Sequence, residues 1–170
     1  MTVQAASSAL APAAIGPRVI AYIIDAIILG IVGIFVVGII YSDLSIVGSV
    51  VRAIIFAILG FLYFGYSWIT WKASPGQRAM GLMTVNASDG AALTWNQATM
   101  RWAFLFGPSV LQSLFSNAIG TTSGLSGIIG LVVLAYYIYL LYTAAQDPRR
   151  QGFHDKQVSS LVITKSAAAA

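Results

Sequence analysis

A single aspartate inside the first long apolar segment constrains the fold more than any other feature of this chain. Residues 19–41 contain no other charge than Asp25. A helix of this length rises ~1.5 Å per residue and crosses a hydrocarbon core of ~30 Å. A carboxylate in the middle of such a helix costs ~2.5–3.5 kcal/mol on insertion scales. We therefore expect Asp25 either to be paired by another part of the protein or to take up a proton.

The composition excludes a water-soluble globular protein. Of the 170 residues, 58% are hydrophobic and 8% are charged, which is too few ionic side chains to cover a soluble surface. The length accommodates about four spans of ~20 residues each and no large domain outside the bilayer. The absence of cysteine excludes disulfides and thiolate chemistry. We expect the net charge of +4 to face anionic lipid, and we expect no nucleic-acid partner.

Four apolar stretches predict an all-α membrane protein whose fold is a bundle of four transmembrane helices. The third stretch is the least apolar and contains Gly107 and Pro108, which leaves open whether it crosses the bilayer, kinks or re-enters. The predicted spans are about residues 17–41, 47–71, 97–117 and 119–142.

The positions of arginine and lysine predict the orientation of the bundle. With four spans, only Arg52 lies on one side and every other cation lies on the opposite side. The positive-inside rule then places both termini in the cytoplasm. With three spans the arginine pair of the tail would be exported, which favours a crossing third span. The cations that share one side are Arg18, Lys72, Arg78, Arg101, Arg149, Arg150, Lys156 and Lys165.

The segments between and beyond the spans predict a small cytoplasmic β element in a single membrane domain of residues 16–165. Residues 82–86 alternate as a strand does, and residues 91–93 are a candidate return strand. We expect residues 161–164 to pair with residues 82–86, because a lone short strand has little stability. The element is thus formed by the 82–94 part of the cytoplasmic loop (72–96) and the cytoplasmic tail (146–165). Residues 1–15 and 166–170 are expected to be disordered.

The cytoplasmic loop begins with a helix-initiation signal. Ser74 is a candidate N-cap, Pro75 occupies the first helical position, and Gly76 follows it. Gly81 is placed to end this short helix. Thr94 and Gln97 fit a capping box that opens the next long helix.

Few residues are suited to catalysis or metal binding. His154 is the single histidine and stands beside Asp155 without further ligands at a suitable spacing, so we expect no metal site, no cofactor and no enzymatic activity. The third span carries a polar stripe at helical spacing. This stripe predicts hydrogen bonds to neighbouring helices, or the lining of a polar path, or a re-entrant segment. Its members are Ser109, Gln112, Ser113 and Ser116.

Three separated blocks of sequence together resemble the RDD family of bacterial membrane proteins, which is named for one arginine and two aspartates. The blocks are Gly16-Pro17-Arg18 with Asp25, Ser74-Pro75-Gly76-Gln77-Arg78 with Gly81, and Asp147-Pro148-Arg149-Arg150-Gln151-Gly152-Phe153-His154-Asp155-Lys156.

The resemblance covers residues 16–164 and assigns the family residues by position. By the resemblance, Arg18 matches the family arginine, Asp25 the first aspartate and Asp155 the second. The loop departs from the family pattern with Ser74 where threonine is common and Gln77 where lysine is common, which removes one charge. The resemblance implies transport of unidentified ligands, with ion or proton exchange proposed for some members.

The position of the second aspartate suggests that the tail folds back beneath the bundle. We hypothesise a contact between Arg18 and Asp155 that joins the tail to the first span. The expected charge network on the cytoplasmic side contains Arg18, Asp25, Arg149, Arg150, His154 and Asp155.

Two functions remain open for a multi-pass protein of the bacterial inner (plasma) membrane. The first is transport of an ion, proton or small ligand, with Asp25 as the buried charged group. Four helices are few for an independent carrier, so this function requires a homo-oligomer or a partner. The alternative is a non-catalytic accessory or assembly subunit of a larger membrane complex.

Overall fold

The structure, a computed structural model, describes residues 10–39, 45–119 and 124–165. These residues form a mostly helical protein with one small two-stranded sheet. Helix α1 continues past its last residue as a π-helical segment, Ile34–Ile39. The elements are α1 (Ile15–Gly33), α2 (Ile46–Thr70), α3 (Pro75–Ala79), β1 (Leu82–Asn86), α4 (Trp95–Ile119), α5 (Gly124–Gln146), α6 (Phe153–Gln157) and β2 (Ser160–Thr164).

Three of the described helices are long and apolar enough to cross a membrane, namely Ile15–Val36, Ile46–Thr70 and Gly124–Gln146. Large apolar side chains on their outer faces are exposed, as Ile34 (68%) and Leu131 (67%) illustrate. A soluble protein does not leave such a continuous apolar surface in water. The chain is therefore a membrane protein. Helix α4 has the length of α2 but is less apolar, since it contains Arg101 and the polar stripe.

Helices α2 and α4 pack against each other along an aromatic interface. Phe64 and Trp68 of α2 belong to a buried cluster with Leu29, Leu93 and Ala98. Aromatic side chains of this size bury a large apolar area and stabilise helix pairs by direct packing, which in lipid replaces the hydrophobic effect. This interface holds the centre of the bundle together.

The two strands pair antiparallel, with Leu82 opposite Thr164 and Asn86 opposite Ser160, so the predicted pairing of loop and tail is confirmed. The other edge of β2 is also covered. Pro12 forms a bridge with Ile163, and the N–H of Ala13 donates to the carbonyl of Val162 at 2.9 Å. Unpaired strand edges are unstable, and this contact removes one.

Two expectations for the segments around the sheet need correction. Residues 10–14 lie against β2 with Ala13 fully buried, so they are not part of a disordered tail; residues 1–9 and 166–170 lie outside the described residues. The predicted return strand at residues 91–93 is absent, and that segment is irregular. The free edge of β1 instead donates single hydrogen bonds to two places. Thr84 N–H donates to the carbonyl of Lys72, and Asn86 N–H donates to that of Ala91.

Helix α3 and its cap are as predicted. The Ser74 hydroxyl accepts from the Gln77 N–H at 3.3 Å, and the Gln77 side-chain carbonyl accepts from the Ser74 N–H at 3.0 Å. Pro75 occupies the first turn, and Gly81 follows the helix with φ +64°, a conformation that favours glycine. Gln77 also accepts from the Trp68 indole at 3.2 Å and donates to the Thr84 hydroxyl at 2.8 Å, which joins α2, α3 and β1.

Candidate functional site

The carboxylate of Asp25 is buried, with 1% of the residue exposed, and accepts hydrogen bonds from three groups. Its Oδ1 accepts from the Tyr63 hydroxyl and from the Gly76 N–H, both at 2.7 Å. Its Oδ2 accepts from the Ser74 hydroxyl at 2.5 Å. Hydrogen bonds to a charged acceptor are about twice as strong as neutral ones. The protein itself therefore pairs Asp25, and it does so with hydroxyl and main-chain donors.

Glycine at position 76 permits this close approach. A Cβ built on Gly76 would lie 2.8 Å from Cγ of Asp25 and would overlap the carbonyl oxygen of Ala21. The first turn of α3 thus rests directly on α1. Ser74 has two functions here, since its hydroxyl accepts from Gln77 as the cap and donates to Asp25. The loop motif is the surface by which the loop of residues 72–96 docks on α1.

The carboxylate of Asp155 is the centre of a second buried cluster and is fully buried on α6. Its Oδ1 accepts from Nη1 of Arg101 and from the Ser160 hydroxyl. Its Oδ2 lies 3.4 Å from Nη1 of Arg18 and accepts from the Gly152 N–H at 3.2 Å. Two guanidinium groups therefore share one carboxylate.

Arg18 has the contact with Asp155 that was hypothesised, and it binds the tail at two further points. Its Nη1 donates to the carbonyl of Arg150 at 2.7 Å, and its Nη2 donates to that of Val162 at 3.0 Å. One side chain from the start of α1 therefore connects the segment before α6 with strand β2. The tail is folded beneath α1, as expected.

Arg101 was missed as a site residue, because the sequence pattern assigned it only to the orientation of the bundle. It is 3% exposed, it contacts Asp155 and the Ser160 hydroxyl, and its guanidinium lies 5.0 Å from the centre of the Trp68 ring. A guanidinium over an indole face gains a cation–π contact. An arginine within the third predicted span was the available signal, because a charge in such a segment requires a partner.

The ionisation of the second cluster follows from burial and from the two arginines. Burial lowers the pKa of His154 to about 4; Asp155 opposes this, and Arg101 and Arg18 add to it. Burial alone would raise the pKa of Asp155, but Arg101 first, then His154 and Arg18, outweigh it and hold that pKa below its ordinary value. At neutral pH the imidazole is uncharged and the carboxylate is ionised. Two guanidinium charges and one carboxylate leave a net charge of +1.

The structure separates the expected charge network into two clusters. Asp25 contacts the loop, whereas Arg18, His154 and Asp155 meet at the tail. Arg149 and Arg150 are exposed; Nη2 of Arg149 donates to the carbonyl of Ala87 at 3.0 Å, and Arg150 contributes its own carbonyl to Arg18. The separation follows from the ~10 Å that seven residues span along a helix, with Arg18 directed to the tail and Asp25 to the loop.

The polar stripe of α4 also divides between two roles. Ser109 contacts the Tyr137 hydroxyl, and Ser116 accepts from the Ser126 hydroxyl at 2.6 Å, so these two connect α4 to α5. Ser109 and Ser113 also line a cavity. Gln112 lies close to Gly130 of α5, where its side-chain nitrogen would be 3.0 Å from an added Cβ.

The described residues of the bundle border two large cavities. The sheet-side cavity has a volume of about 280 Å³ and is bounded by α1, α2, α4, α5 and the tail. Its polar lining residues are Arg18, Gln77, Arg101, Tyr137 and His154, and its other walls are mainly apolar. Its position brings the second charge cluster to the edge of an internal space.

The far-side cavity has a volume of about 660 Å³ and is bounded by α1, α2 and α4. Gly30, Gly33 and Gly60 contribute small surfaces to it. Its polar lining residues are Ser49, Arg52, Ser109, Ser113 and Asn117. Nη2 of Arg52 donates to the Ser49 hydroxyl at 2.8 Å.

The same three aromatic residues, Tyr22, Phe64 and Phe106, line both cavities; we call them the aromatic cluster. The rings of Phe64 and Phe106 are stacked with centroids 4.6 Å apart, and those of Tyr22 and Phe106 are stacked at 5.9 Å. Stacked rings form a close-packed partition. The two cavities are thus arranged end to end, with the aromatic cluster between them.

Comparison with known proteins gives one match. The model of the RDD family matches residues 12–158. The chain belongs to the RDD family. No curated protein and no solved structure matches it.

In this RDD protein the residues that the resemblance assigned have different surroundings. The arginine, Arg18, and the second aspartate, Asp155, contact each other, whereas Asp25 binds the loop motif. Strand β2 follows the matched region and completes the Asp155 cluster through Ser160. Within the described residues, no group of three or more histidine, cysteine or acidic side chains is placed to hold a metal ion.

Proposed function

We propose that this RDD protein transports a small ligand across the membrane by alternate opening of its two cavities. The observation that carries the proposal is the end-to-end arrangement of the cavities on either side of the aromatic cluster. Transporters place their ligand sites near the middle of the bilayer and expose them to each side in turn. A movement of α1 relative to α2 and α4 that separates the three rings would join one cavity to the other.

A fourth span is part of the proposal, and the packing of α4 supports it. Arg101 near the start of α4 contacts the tail, while Asn117 near its end lines the far-side cavity with Gly33 and Arg52. The 25 residues of α4 span ~37 Å at ~1.5 Å per residue, which is enough to cross the hydrocarbon core. Tyr136 of α5 donates to the carbonyl of Phe104 at 2.5 Å, so α4 and α5 run alongside each other.

We propose that the sheet side faces the cytoplasm of a bacterial cell and that the protein lies in its plasma membrane. Eight of the nine arginine and lysine residues belong to the sheet end of the described structure, and Arg52 lies at the other end. The positive-inside rule supports cytoplasmic termini for this distribution. Four spans are few for a carrier, and a homo-oligomer is the arrangement we propose.

In this mechanism Asp25 holds the loop in place and does not meet the ligand. Its carboxylate accepts from the loop motif and is absent from the described lining of both cavities. Gln77 of the same loop lines the sheet-side cavity. The docked loop therefore forms part of the wall that closes this cavity.

Cysteine accessibility tests the proposal, because the natural chain has no cysteine to remove. Gly30→Cys places a thiol in the far-side cavity and Ala144→Cys places one in the sheet-side cavity. Leu131→Cys, on the exposed apolar face of α5, is the matched control. A membrane-impermeant maleimide is applied to right-side-out and inverted membrane vesicles, and labelling is followed by a mass shift.

Each cavity thiol should react from a different side, because a wet cavity allows the thiolate to form while lipid does not. The Leu131→Cys thiol should react from neither side. Labelling of Gly30→Cys and Ala144→Cys from one common side would contradict alternate opening. No labelling of either thiol, together with co-migration of the protein with unrelated subunits in mild detergent, would support the accessory or assembly role instead.

A further inference from the structure

We propose that the sheet-side cavity binds a small organic anion through Arg18 and Arg101. The inference rests on the proposed transport function and names its ligand class: a single negative charge attached to a compact apolar body. It is drawn from the charges that line the cavities, the buried polar atoms at the cavity edge and the apolar character of the walls.

The charged residues that line the two cavities are all arginines. Arg18 and Arg101 line the sheet-side cavity, and Arg52 lines the far-side cavity. In the described structure no aspartate lines either one, since Asp25 contacts the loop and Asp155 lies behind the two arginines. A wall with one sign of charge in a low-dielectric surrounding selects ligands of the opposite sign. This arrangement favours anions and disfavours cations.

Three buried polar atoms lack a hydrogen-bond partner within the described residues, and all three belong to side chains that line the sheet-side cavity. They are Nε of Arg18, Nε of Arg101 and Nδ1 of His154. Buried polar atoms nearly always have a hydrogen-bond partner, so each exception is a candidate contact for a ligand, an ion or a water molecule. The two guanidinium Nε–H groups are donors, for which an anionic ligand would supply acceptors, whereas Nδ1 of the neutral His154 is an acceptor, to which water bound with the ligand would donate.

The charge count of the cluster sets the charge of the ligand. Arg18 and Arg101 share only Asp155, and His154 is neutral. One more negative charge would balance the pair. A monovalent anion is therefore the best match.

The rest of the wall selects an apolar body. Tyr22, Phe64, Leu105 and Leu140 face this cavity together with the ring of Trp68. A volume of about 280 Å³ holds a molecule of the size of a substituted benzene ring. An inorganic anion would leave these walls without a partner, so an aromatic or branched organic anion fits better.

Fluorine NMR with para-fluorobenzenesulfonate tests the inference, because this probe is permanently anionic and has one ring. The full-length protein in nanodiscs of zwitterionic lipid should broaden the probe signal in a saturable manner. The cation para-fluorophenyltrimethylammonium, which also carries its charged group directly on the ring, should show at least about tenfold weaker binding. Equal binding of the two probes would overturn the proposal.

Two neighbouring alanines on α5 provide a matched pair of variants. Ala144 lines the cavity, whereas Ala145 is exposed on the outer surface. Ala144→Leu fills the space without touching a charge and should weaken sulfonate binding about tenfold or more, whereas Ala145→Leu should bind as wild type. Circular dichroism and a monodisperse elution profile verify that both are folded. Wild-type binding by a folded Ala144→Leu would overturn the proposal.

The source of the natural anion is separated by competition. Displacement of the sulfonate by phosphatidylglycerol but not by phosphatidylcholine would assign the anion to a lipid. Displacement by soluble carboxylates such as benzoate would assign it to a metabolite. Both outcomes support a site for an organic anion. If inorganic sulfate binds as tightly as the organic sulfonate, the ligand does not need an apolar part and that part of the proposal is wrong.

Failure here and failure of the transport proposal are distinguishable. If the two cavity thiols react from opposite sides but the sulfonate does not bind, only the ligand class is wrong. If the sulfonate binds but the two thiols are not labelled from opposite sides of the membrane, the anion site is supported and the transport proposal is wrong.

Discussion

The backbone N–H of Gly76 lies 2.7 Å from Oδ1 of Asp25, so a short helix outside the spans supplies a main-chain donor to a carboxylate inside the first one. This relationship requires that residue 76 has no side chain, because Cβ would meet Asp25 and the carbonyl of Ala21. The carboxylate of the first span thereby fixes the position of the loop that follows the second.

Gly76→Ala should lower stability by about 2 kcal/mol or more, because the added methyl group forces α3 away from α1. Gly16→Ala on α1 is the control, since its Cβ meets nothing within 4 Å. Thermal unfolding in detergent, followed by intrinsic fluorescence, measures the difference. Equal melting temperatures for the two variants would show that the close contact is unnecessary.

Asp25→Asn should release the loop. The amide keeps one acceptor but presents an NH₂ group to donors, so the Ser74 hydroxyl and the Gly76 N–H cannot both remain satisfied. Limited trypsin digestion should then cut faster after the exposed Arg78, whereas cleavage after Lys156, which pairs with Asp147 within the tail, should keep its wild-type rate. Tyr63→Phe removes one of the donors to the Asp25 carboxylate. It should lower the free energy of unfolding by about 1.5–3 kcal/mol, which is less than the loss caused by Asp25→Asn. Unchanged digestion of Asp25→Asn would mean that packing alone holds the loop.

Arg101 should be coupled to Asp155 more strongly than Arg18 is. Arg101 makes the closer contact and its side chain is 4% exposed, compared with 14% for Arg18. Removing one partner of a buried pair leaves an uncompensated charge and costs about 3–5 kcal/mol. Double-mutant cycles with Arg101→Met, Arg18→Met and Asp155→Asn, read by thermal unfolding, give the two coupling energies. A larger coupling energy to Asp155 for Arg18 than for Arg101 would contradict the geometry.

Acidification should weaken the docking of the tail. The folded protein holds the pKa of His154 at about 4, below its ordinary value of 6.5, so the unfolded chain binds the extra proton as pH falls below 6.5. Stability is therefore lost from pH 6.5 downward, by about 2 kcal/mol at about pH 5. The lowered pKa of Asp155 adds a further loss only below its ordinary value of 3.8. The melting temperature of His154→Gln should vary less between about pH 5 and neutral pH, and an identical pH profile would exclude His154 as the cause.

The sequence patterns that predicted elements correctly are those whose physical cause is local. Long apolar runs predict helices, and the alternation of residues 82–86 and 161–164 predicts the paired strands. The N-cap at Ser74 and the capping box of Thr94 and Gln97 are equally local, because their partners lie within one turn. These features depend on neighbouring residues alone.

The features that escaped prediction depend on how distant segments meet. We expected Arg18 and Asp25 in one charge network, but the docking of α3 and the course of the tail place them in different clusters. The role of Arg101 depends on the folded tail, which places Asp155 against it although the two residues are 54 positions apart in the chain. The cavities depend on the packing of α1 against α2 and α4, which no local pattern records.

The carbonyl of Val162 accepts from the N–H of Ala13 and from the guanidinium of Arg18, which precedes it by 144 residues. A ribosome delivers residues 160–164 long after the first helix has entered the membrane. Before that point, strand β1 has no β2 to pair with. The guanidinium groups of Arg18 and Arg101 likewise lack the acceptors that the tail provides. The sheet and its contacts with α1 and α4 are thus completed last in synthesis, and a chain interrupted before β2 would lack the partners that Val162 gives to Arg18 and Ser160 gives to Arg101.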